Sequence, residues 1–259
     1  MDERLAPLAA PRRFLVVGRV GDSSLHPSWI AGDPQRSWDF LANYYGKRDD
    51  FDPGACEYAS RRGVTKFPGA AEICAAAPFL ATQYEAVLFL DDDVAVPPGR
   101  LSQLLERFMA LGLKLGQAAL TPDSPHSHVE TLANPTTAVR YTDFVEVMMP
   151  IFRRDALATC LPSFATCISG WGLDWVWPKL VGCANREVGF IDELPLRHTK
   201  PVDLAGGAFY ELLRRLGIDP WREMADLLAR HGLKHQPPRI LGAQMRRIDP
   251  AALTRLRYT

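Results

Sequence analysis

The chain has 259 residues, 47% of them hydrophobic, enough for one large α/β domain or two small ones around a well-buried core. Lys plus Arg and Asp plus Glu both number 30, so no net basic field draws nucleic acid or an anionic membrane, and neither is expected as a partner. The opening Met1-Asp2-Glu3-Arg4 lacks the pattern of a secretory signal, no apolar stretch is long enough to span a bilayer, and five cysteines without C-x-x-C spacing fit reduced thiols, so a cytoplasmic protein is expected.

Residues 14–18, a short apolar run closed by glycine, predict a first strand, and 20–26 the loop after it. Asp33-Pro34 predicts a helix cap with proline at the first helical position, and 40–45, before Gly46, a second strand. The polar stretch 47–53 reads as a loop. Ala70, Ile73, Cys74 and Ala77 have the spacing of a helix over 69–81 buried on one face. The apolar run 86–90 reads as a central strand buried on both faces, ending in Asp91-Asp92-Asp93. Alternation along a strand turns Asp91 and Asp93 to one side and Asp92 to the other.

After Pro97-Pro98, the residues Leu101, Leu104, Leu105, Phe108 and Met109 trace an amphipathic helix, and 115–120 a further strand. Strands alternating with helices predict an α/β fold with a mixed, mainly parallel sheet flanked by helices. Residues 121–137, rich in Pro, Ser, His and Thr, are too long for an ordinary connection and read as a mobile loop over a site, with His126 and His128 on its surface. Val145, Val147 and Met149 alternate with Glu146 and Met148 and predict a strand, as does the apolar Val188-Gly189-Phe190-Ile191. Beyond His198, helices with proline starts are expected at 210–216, 220–230 and 250–256, giving a domain over 12–202 and a helical C-terminal extension over 203–259.

Three groups of residues carry chemistry. Open α/β sheets bind ligands beyond the carboxyl ends of their strands, where the three aspartates stand, and two carboxylates on one side repel unless a divalent cation or a cationic partner lies between them. Ser169-Gly170-Trp171-Gly172-Leu173-Asp174-Trp175 sets one carboxylate among apolar groups. Such neighbours raise its pKa, as suits a base that takes up a proton; the plainer alternative puts Asp174 on a helix dipole and Trp171 in the core. Leu196-Arg197-His198-Thr199-Lys200-Pro201 offers an imidazole for a cation, with Arg197 and Lys200 able to meet phosphates or simply to face solvent.

In this order, D-x-D after a buried strand, W-G-x-[DE] and a later histidine segment, the chain resembles the nucleotide-sugar glycosyltransferases of the GT-A fold over about residues 12–202. The resemblance implies a GT-A-like, Rossmann-like fold and an enzyme, hexosyltransferase-like, moving a sugar from a nucleotide-diphosphate donor to a glycan or other hydroxyl acceptor. It implies Mn²⁺ or Mg²⁺ held by Asp91, Asp93 and His198, with a UDP-sugar first among donors. A hard cation held there would stabilise the departing diphosphate. It further implies an inverting reaction with Asp174 as general base, and Trp171, Gly172 and Lys200 toward substrate. The donor would meet Gly18, Arg19, Val20 and Asp22 after the first strand, Tyr45 and Asp49 after the second, then Lys66, Asp91 and Asp92. The triple aspartate leaves open whether Asp91 joins Asp93 at the metal, and Leu173, where many inverting members carry an acid, leaves the stereochemistry open. Two alternatives stand beside this: a phosphatase of haloacid-dehalogenase type, which also places D-x-D after a buried strand, and a non-catalytic sugar- or nucleotide-binding module.

Overall fold

The computed structural model describes residues 2–52 and 54–246; the helix expected over 250–256 lies outside the described residues. Strand β1 (Phe14–Val20) runs through the middle of the sheet, hydrogen-bonded in parallel to β2 (Trp38–Tyr44) on one side and β4 (Ala86–Asp91) on the other. Its apolar residues are buried on both faces, as the unbroken run predicts. Leu15 and Val17 pack into one core with Phe67, Phe164 and Trp177, while Phe14 and Val16 pack into a second with Trp29, Leu104 and Phe108. The period of two along the strand sorts them.

The remaining strands are β3 (Tyr58–Ser60), β5 (Val94–Ala95), β6 (Leu115–Leu120), β7 (Thr137–Thr142), β8 (Ile151–Arg153), β9 (Val188–His198) and β10 (Ile240–Met245). The sheet order is β10-β7-β9-β6-β8-β4-β1-β2-β3, with β5 paired to β9 off this path. The β4-β1-β2-β3 half is wholly parallel, as expected; β6 and β9 are also parallel, and β8, β7 and β10 add antiparallel pairings. Helices α1 (His26–Ala31), α2 (Lys66–Ala76), α3 (Phe79–Thr82), α4 (Arg100–Ala110), α5 (Arg154–Phe164), α6 (Leu173–Val181), α7 (Ala208–Arg215) and α8 (Pro220–Arg230) cover the sheet.

One irregularity positions the site. Ala118 and Leu120 of β6 pair with Ile191 and Leu196, so β9 uses five positions where β6 uses two. The bulge re-aims the end of β9, which leaves β6 and pairs with β5, setting Val94 opposite His198. Asp192 inside the bulge is fully buried and satisfied by a two-pronged bond from Arg140 and by Thr137 and the Asn134 N–H. The same guanidinium donates to the carbonyls of Glu130 at 2.7 Å and Leu132 at 2.6 Å. The long 121–137 segment is therefore pinned at its second half.

Four expectations are corrected. No helix starts at Asp33: its buried carboxylate accepts from Trp38 Nε1 at 3.3 Å and Ser102 Oγ at 2.5 Å, and the helix lies earlier, at α1. The strand β1 runs on to Val20, so the loop begins at Gly21. Residues 143–150 form no regular strand: the Met148 and Pro150 carbonyls accept from β4, but Gln117, Asp174 and Lys66 side chains take backbone groups of residues 146–148. The tail is not wholly helical, since β10 follows α7 and α8 and pairs antiparallel with β7 at the sheet edge.

Candidate active site

The three aspartates at the end of β4 part toward three different partners. Asp91 Oδ1 accepts from Lys66 Nζ at 2.8 Å. Asp92 Oδ2 accepts the Gly21 N–H at 2.7 Å and the Tyr45 hydroxyl at 3.2 Å. Asp93 Oδ2 faces His198 Nε2 at 3.5 Å. Alternation separates Asp92 from the other two, and the repulsion expected between Asp91 and Asp93 is relieved by giving each a cationic partner.

Lys66 opens α2, and its ammonium is placed by a close approach of two glycines. Gly63, at φ +76°, lies against Gly69: a Cβ on Gly63 would stand 2.0 Å from the Gly69 Cα. The loop thus closes onto the start of α2 and Nζ points inward. All three ammonium protons are used, on Asp91 and on the carbonyls of Val147 and Met148, each at 2.7 Å. Lys66 is a tether here, holding the irregular 143–150 segment to the strand end.

His198 is oriented from behind. Its Nδ1 lies 3.0 Å from the Pro125 carbonyl, which can only accept, so Nδ1 carries a proton and Nε2 faces Asp93, as a donor when the ring is charged and as a lone pair when it is neutral. A carboxylate oxygen and a ring nitrogen facing across 3.5 Å must share a proton or a cation. Burial opposes the imidazolium, but the bond to Asp93 and the Pro125 carbonyl outweigh it, so His198 titrates above its ordinary value. Burial likewise raises Asp93, yet His198 and the exposed Lys200 bring it below the usual carboxylate range. This donor set fits a hard divalent ion. Among the described residues no three His, Cys, Asp or Glu side chains converge as a metal site, and Asp91 is turned to Lys66.

Asp174 stands in the first turn of α6, after Gly172 at φ +92°. The left-handed glycine swings the chain from Trp171 into the helix, and a Cβ there would meet Met224 of α8 at 3.2 Å. Asp174 lies at a helix N-terminus, as the plainer alternative has it, and is also a buried carboxyl. Its Oδ1 accepts the Val147 N–H at 2.8 Å, yet burial pushes its pKa up to about 7. Trp171 is half-buried and meets Trp221 of α8 edge-on at 4.9 Å.

Sequence reasoning missed Glu146. It is buried, its Oε2 has no hydrogen-bond partner among the described residues, and burial first, then the charge of Asp174, pushes its pKa up to about 8. The signal was a single acid inside an apolar run, which alternation assigns to the solvent side of a strand that does not form.

The donor-side expectations scatter. Gly18 and Val20 are strand residues, with Val20 in the core. Arg19 reaches the carbonyls of Gly63 at 2.9 Å and Arg62 at 3.2 Å, and burial pushes its pKa down to about 10. Asp22 accepts from the Tyr44 hydroxyl and from the Lys47 N–H at 3.3 Å, and Asp49 lies on the exposed loop after β2. Gly21, Tyr45, Asp92 and Arg19 do come together, the guanidinium 5.4 Å from the Tyr45 ring centre.

No family model matches the chain, and no curated protein does. Among solved structures it is similar to glucosyl-3-phosphoglycerate synthase from Mycobacterium tuberculosis, determined with Mn²⁺, UDP-glucose and phosphoglyceric acid. The TM-score is 0.50 at 15% identity, over 88% of this chain and 82% of that one. It is similar also to S. aureus TarS, with a TM-score of 0.49 at 12% identity, over 85% of this chain and 43% of that one. Residues 1–349 of TarS in complex with UDP-GlcNAc give 0.45 at 12% identity, over 85% of this chain and 72% of that one. The chain thus spans less than half of the longer TarS structure. What is shared at these identities is the fold, a mixed, mostly parallel sheet flanked by helices. The chain has the GT-A-like fold of nucleotide-diphospho-sugar glycosyltransferases.

Proposed function

We propose that the chain is a metal-dependent glycosyltransferase that moves a hexose from a nucleotide-diphosphate sugar, a UDP-sugar first, to a hydroxyl acceptor, and that it acts in the cytoplasm. The observation that carries this is the Asp93–His198 pair, two metal-competent acceptors face to face at the carboxyl edge of a GT-A-like sheet. Asp93 and His198 would hold Mn²⁺ or Mg²⁺, and such an ion supplies charge stabilisation to a leaving diphosphate. Asp91, held by Lys66, keeps the neighbouring strand end in place. The Gly21, Tyr45 and Asp92 cluster, with Arg19 against it, offers a ring face and polar groups to the nucleoside. Lys200 adds a positive charge beside Asp92 and Asp93 for a phosphate.

On the acceptor side, Trp171 and Gly172 shape the approach to Asp174. A carboxylate with a pKa of about 7 is half ionised near neutral pH and can take the proton of an attacking hydroxyl. With Asp174 as base opposite the donor, the reaction inverts the anomeric centre. The other two readings, a phosphatase and a non-catalytic module, find less support: the fold is that of sugar transferases, and two buried carboxyls with raised pKa values are costly for a module that only binds.

Calorimetry with UDP-glucose, UDP-GlcNAc and GDP- and dTDP-sugars, each with and without Mn²⁺, tests the proposal. The expected result is Mn²⁺-dependent binding of one donor that Asp93→Ala abolishes while the circular dichroism spectrum is kept. Donor affinity that is indifferent to both Mn²⁺ and Asp93→Ala would reject the site.

A further inference from the structure

The first half of the 121–137 segment grips the end of β9 at consecutive residues. The Thr121 N–H donates to the Leu196 carbonyl at 2.9 Å, and Asp123 Oδ2 accepts from Arg197 Nε at 2.7 Å. His198 is then held twice, its main-chain N–H donating to Ser124 Oγ at 3.2 Å and its ring Nδ1–H to the Pro125 carbonyl at 3.0 Å. The gripping residues are themselves locked together. The Ser124 N–H donates to the Thr121 carbonyl at 3.0 Å, closing a turn, and the two hydroxyls bond each other at 2.9 Å. The segment expected to be a mobile loop is thus tied down at this end as well.

Ser124 stands where these contacts cross, and it is only 4% exposed. A main-chain N–H only donates, so the Ser124 oxygen accepts from His198, and its other bond to Thr121 fixes where that oxygen lies. Pro125 follows directly in the chain, so the same anchor sets the carbonyl that meets Nδ1; proline adds a fixed φ and no N–H of its own. From the opposite side β5 sets Val94 against His198. With backbone and Nδ1 both held, the ring is left to present Nε2 to Asp93. We infer that Ser124 is a positioning residue for the cation site: it acts through His198, locking the imidazole with Nε2 toward Asp93, and itself touches neither cation nor substrate. This rests on the metal-holding reading of Asp93 and His198 above. A serine that only satisfied its loop would matter for stability alone, whereas a bond that orients a metal ligand matters for metal affinity, by about 10–100-fold where such bonds are removed.

Two measurements on the full chain test this. The first is Mn²⁺ affinity by calorimetry at about pH 8, where Ser124→Ala should bind about tenfold more weakly than the wild type. Ser124→Thr keeps the hydroxyl and should stay within about threefold, and Asp123→Ala, which leaves both bonds to His198, within about twofold. Thr121→Val frees the Ser124 hydroxyl to turn and should lose about threefold, which keeps the test open if Ser124→Ala does not fold. The second is nitrogen NMR of the metal-free, histidine-labelled chain at about pH 9, with the His198 signals identified by their loss in His198→Ala. The neutral His198 ring should carry its proton on Nδ1 in the wild type and shift toward Nε2 in Ser124→Ala. Mn²⁺ affinity in Ser124→Ala and Thr121→Val within about twofold of the wild type would overturn the assignment, whatever their melting temperatures. So would an equal loss in Asp123→Ala, or a wild-type proton on Nε2. A wild type that takes up no Mn²⁺, with its Nδ1 proton in place, would instead sink the metal reading, and this assignment with it.

Discussion

His198 presents Nε2 to Asp93 Oδ2 across 3.5 Å while its Nδ1 is spent on the Pro125 carbonyl at 3.0 Å. The proton or cation between the two acceptors makes the site sensitive to pH. The folded His198 pKa lies above its ordinary 6.5, so without metal its share of stability is fully present below pH 6.5 and is lost as pH rises through the folded value. Asp93 lies below its ordinary 3.8, so its share is present above pH 3.8 and is lost as pH falls through the folded value. In EDTA, the melting temperature of the wild type should therefore exceed that of His198→Ala most between about pH 4 and 6.5, and the gap should narrow toward pH 8. Added Mn²⁺ should stabilise the wild type more at about pH 8 than at pH 6, since only neutral imidazole binds metal. A gap that widens with pH would show that no imidazolium sits between these groups.

Lys66 ties together three pieces of chain with one ammonium group. Lys66→Met should lower stability in urea unfolding by about 2–3 kcal/mol, because the carbonyls of Val147 and Met148 lose their donor and Asp91 its counter-charge. The Asp91 side chain is 39% exposed, and solvent screening keeps the loss below that of a fully buried pair. Adding Asp91→Asn to Lys66→Met should cost less than the two single changes summed, since the second removes the charge the first leaves unpaired. Strict additivity would mean that the pair is not coupled.

The C-terminal tail reaches the site through Glu223 of α8, whose carboxylate accepts the N–H groups of Ile168 at 2.6 Å and Ser169 at 2.7 Å. These lead directly into Trp171 and Gly172. Glu223→Ala leaves two amides unmet and should destabilise by about 2 kcal/mol, with Glu223→Gln losing less. Because the loop it holds lies on the side proposed for the acceptor, steady-state kinetics should show a fall in transfer with donor KM nearly unchanged. A donor KM that rises with an unchanged transfer rate would move the loop to the other side of the site.

The elements most legible in the sequence are those whose burial is written into local periodicity. The runs at 86–90 and 115–120 appear as β4 and β6, and the amphipathic spacing from Leu101 and the proline start at Pro220 appear as α4 and α8. Asp219 caps α8 as its position before Pro220 suggests, accepting from Trp221 N and Arg222 N. Elements that depend on distant partners were not legible. Residues Ile240–Met245 are mostly exposed and extend only because β7 offers an edge. Residues 145–149 alternate like a strand, yet only the Met148 carbonyl bonds β4, and Lys66, Gln117 and Asp174 take other backbone groups of the segment.

The site divides in the same way. Its candidate residues were readable from residue types in order: acids ending a buried strand, a carboxyl set among apolar neighbours, and an imidazole after a later apolar run. Which acid meets which partner was decided in three dimensions. The Asp93 main-chain carbonyl accepts from the Thr199 hydroxyl while its carboxylate faces His198, across more than a hundred residues of chain, because a bulge in β9 turns that strand's end onto β5. Glu146 became visible only when the ladder expected around it failed to form. Periodicity records how much of a residue is buried, since that depends on its neighbours in the chain; the partner it finds there depends on strand order and register, which no local stretch contains.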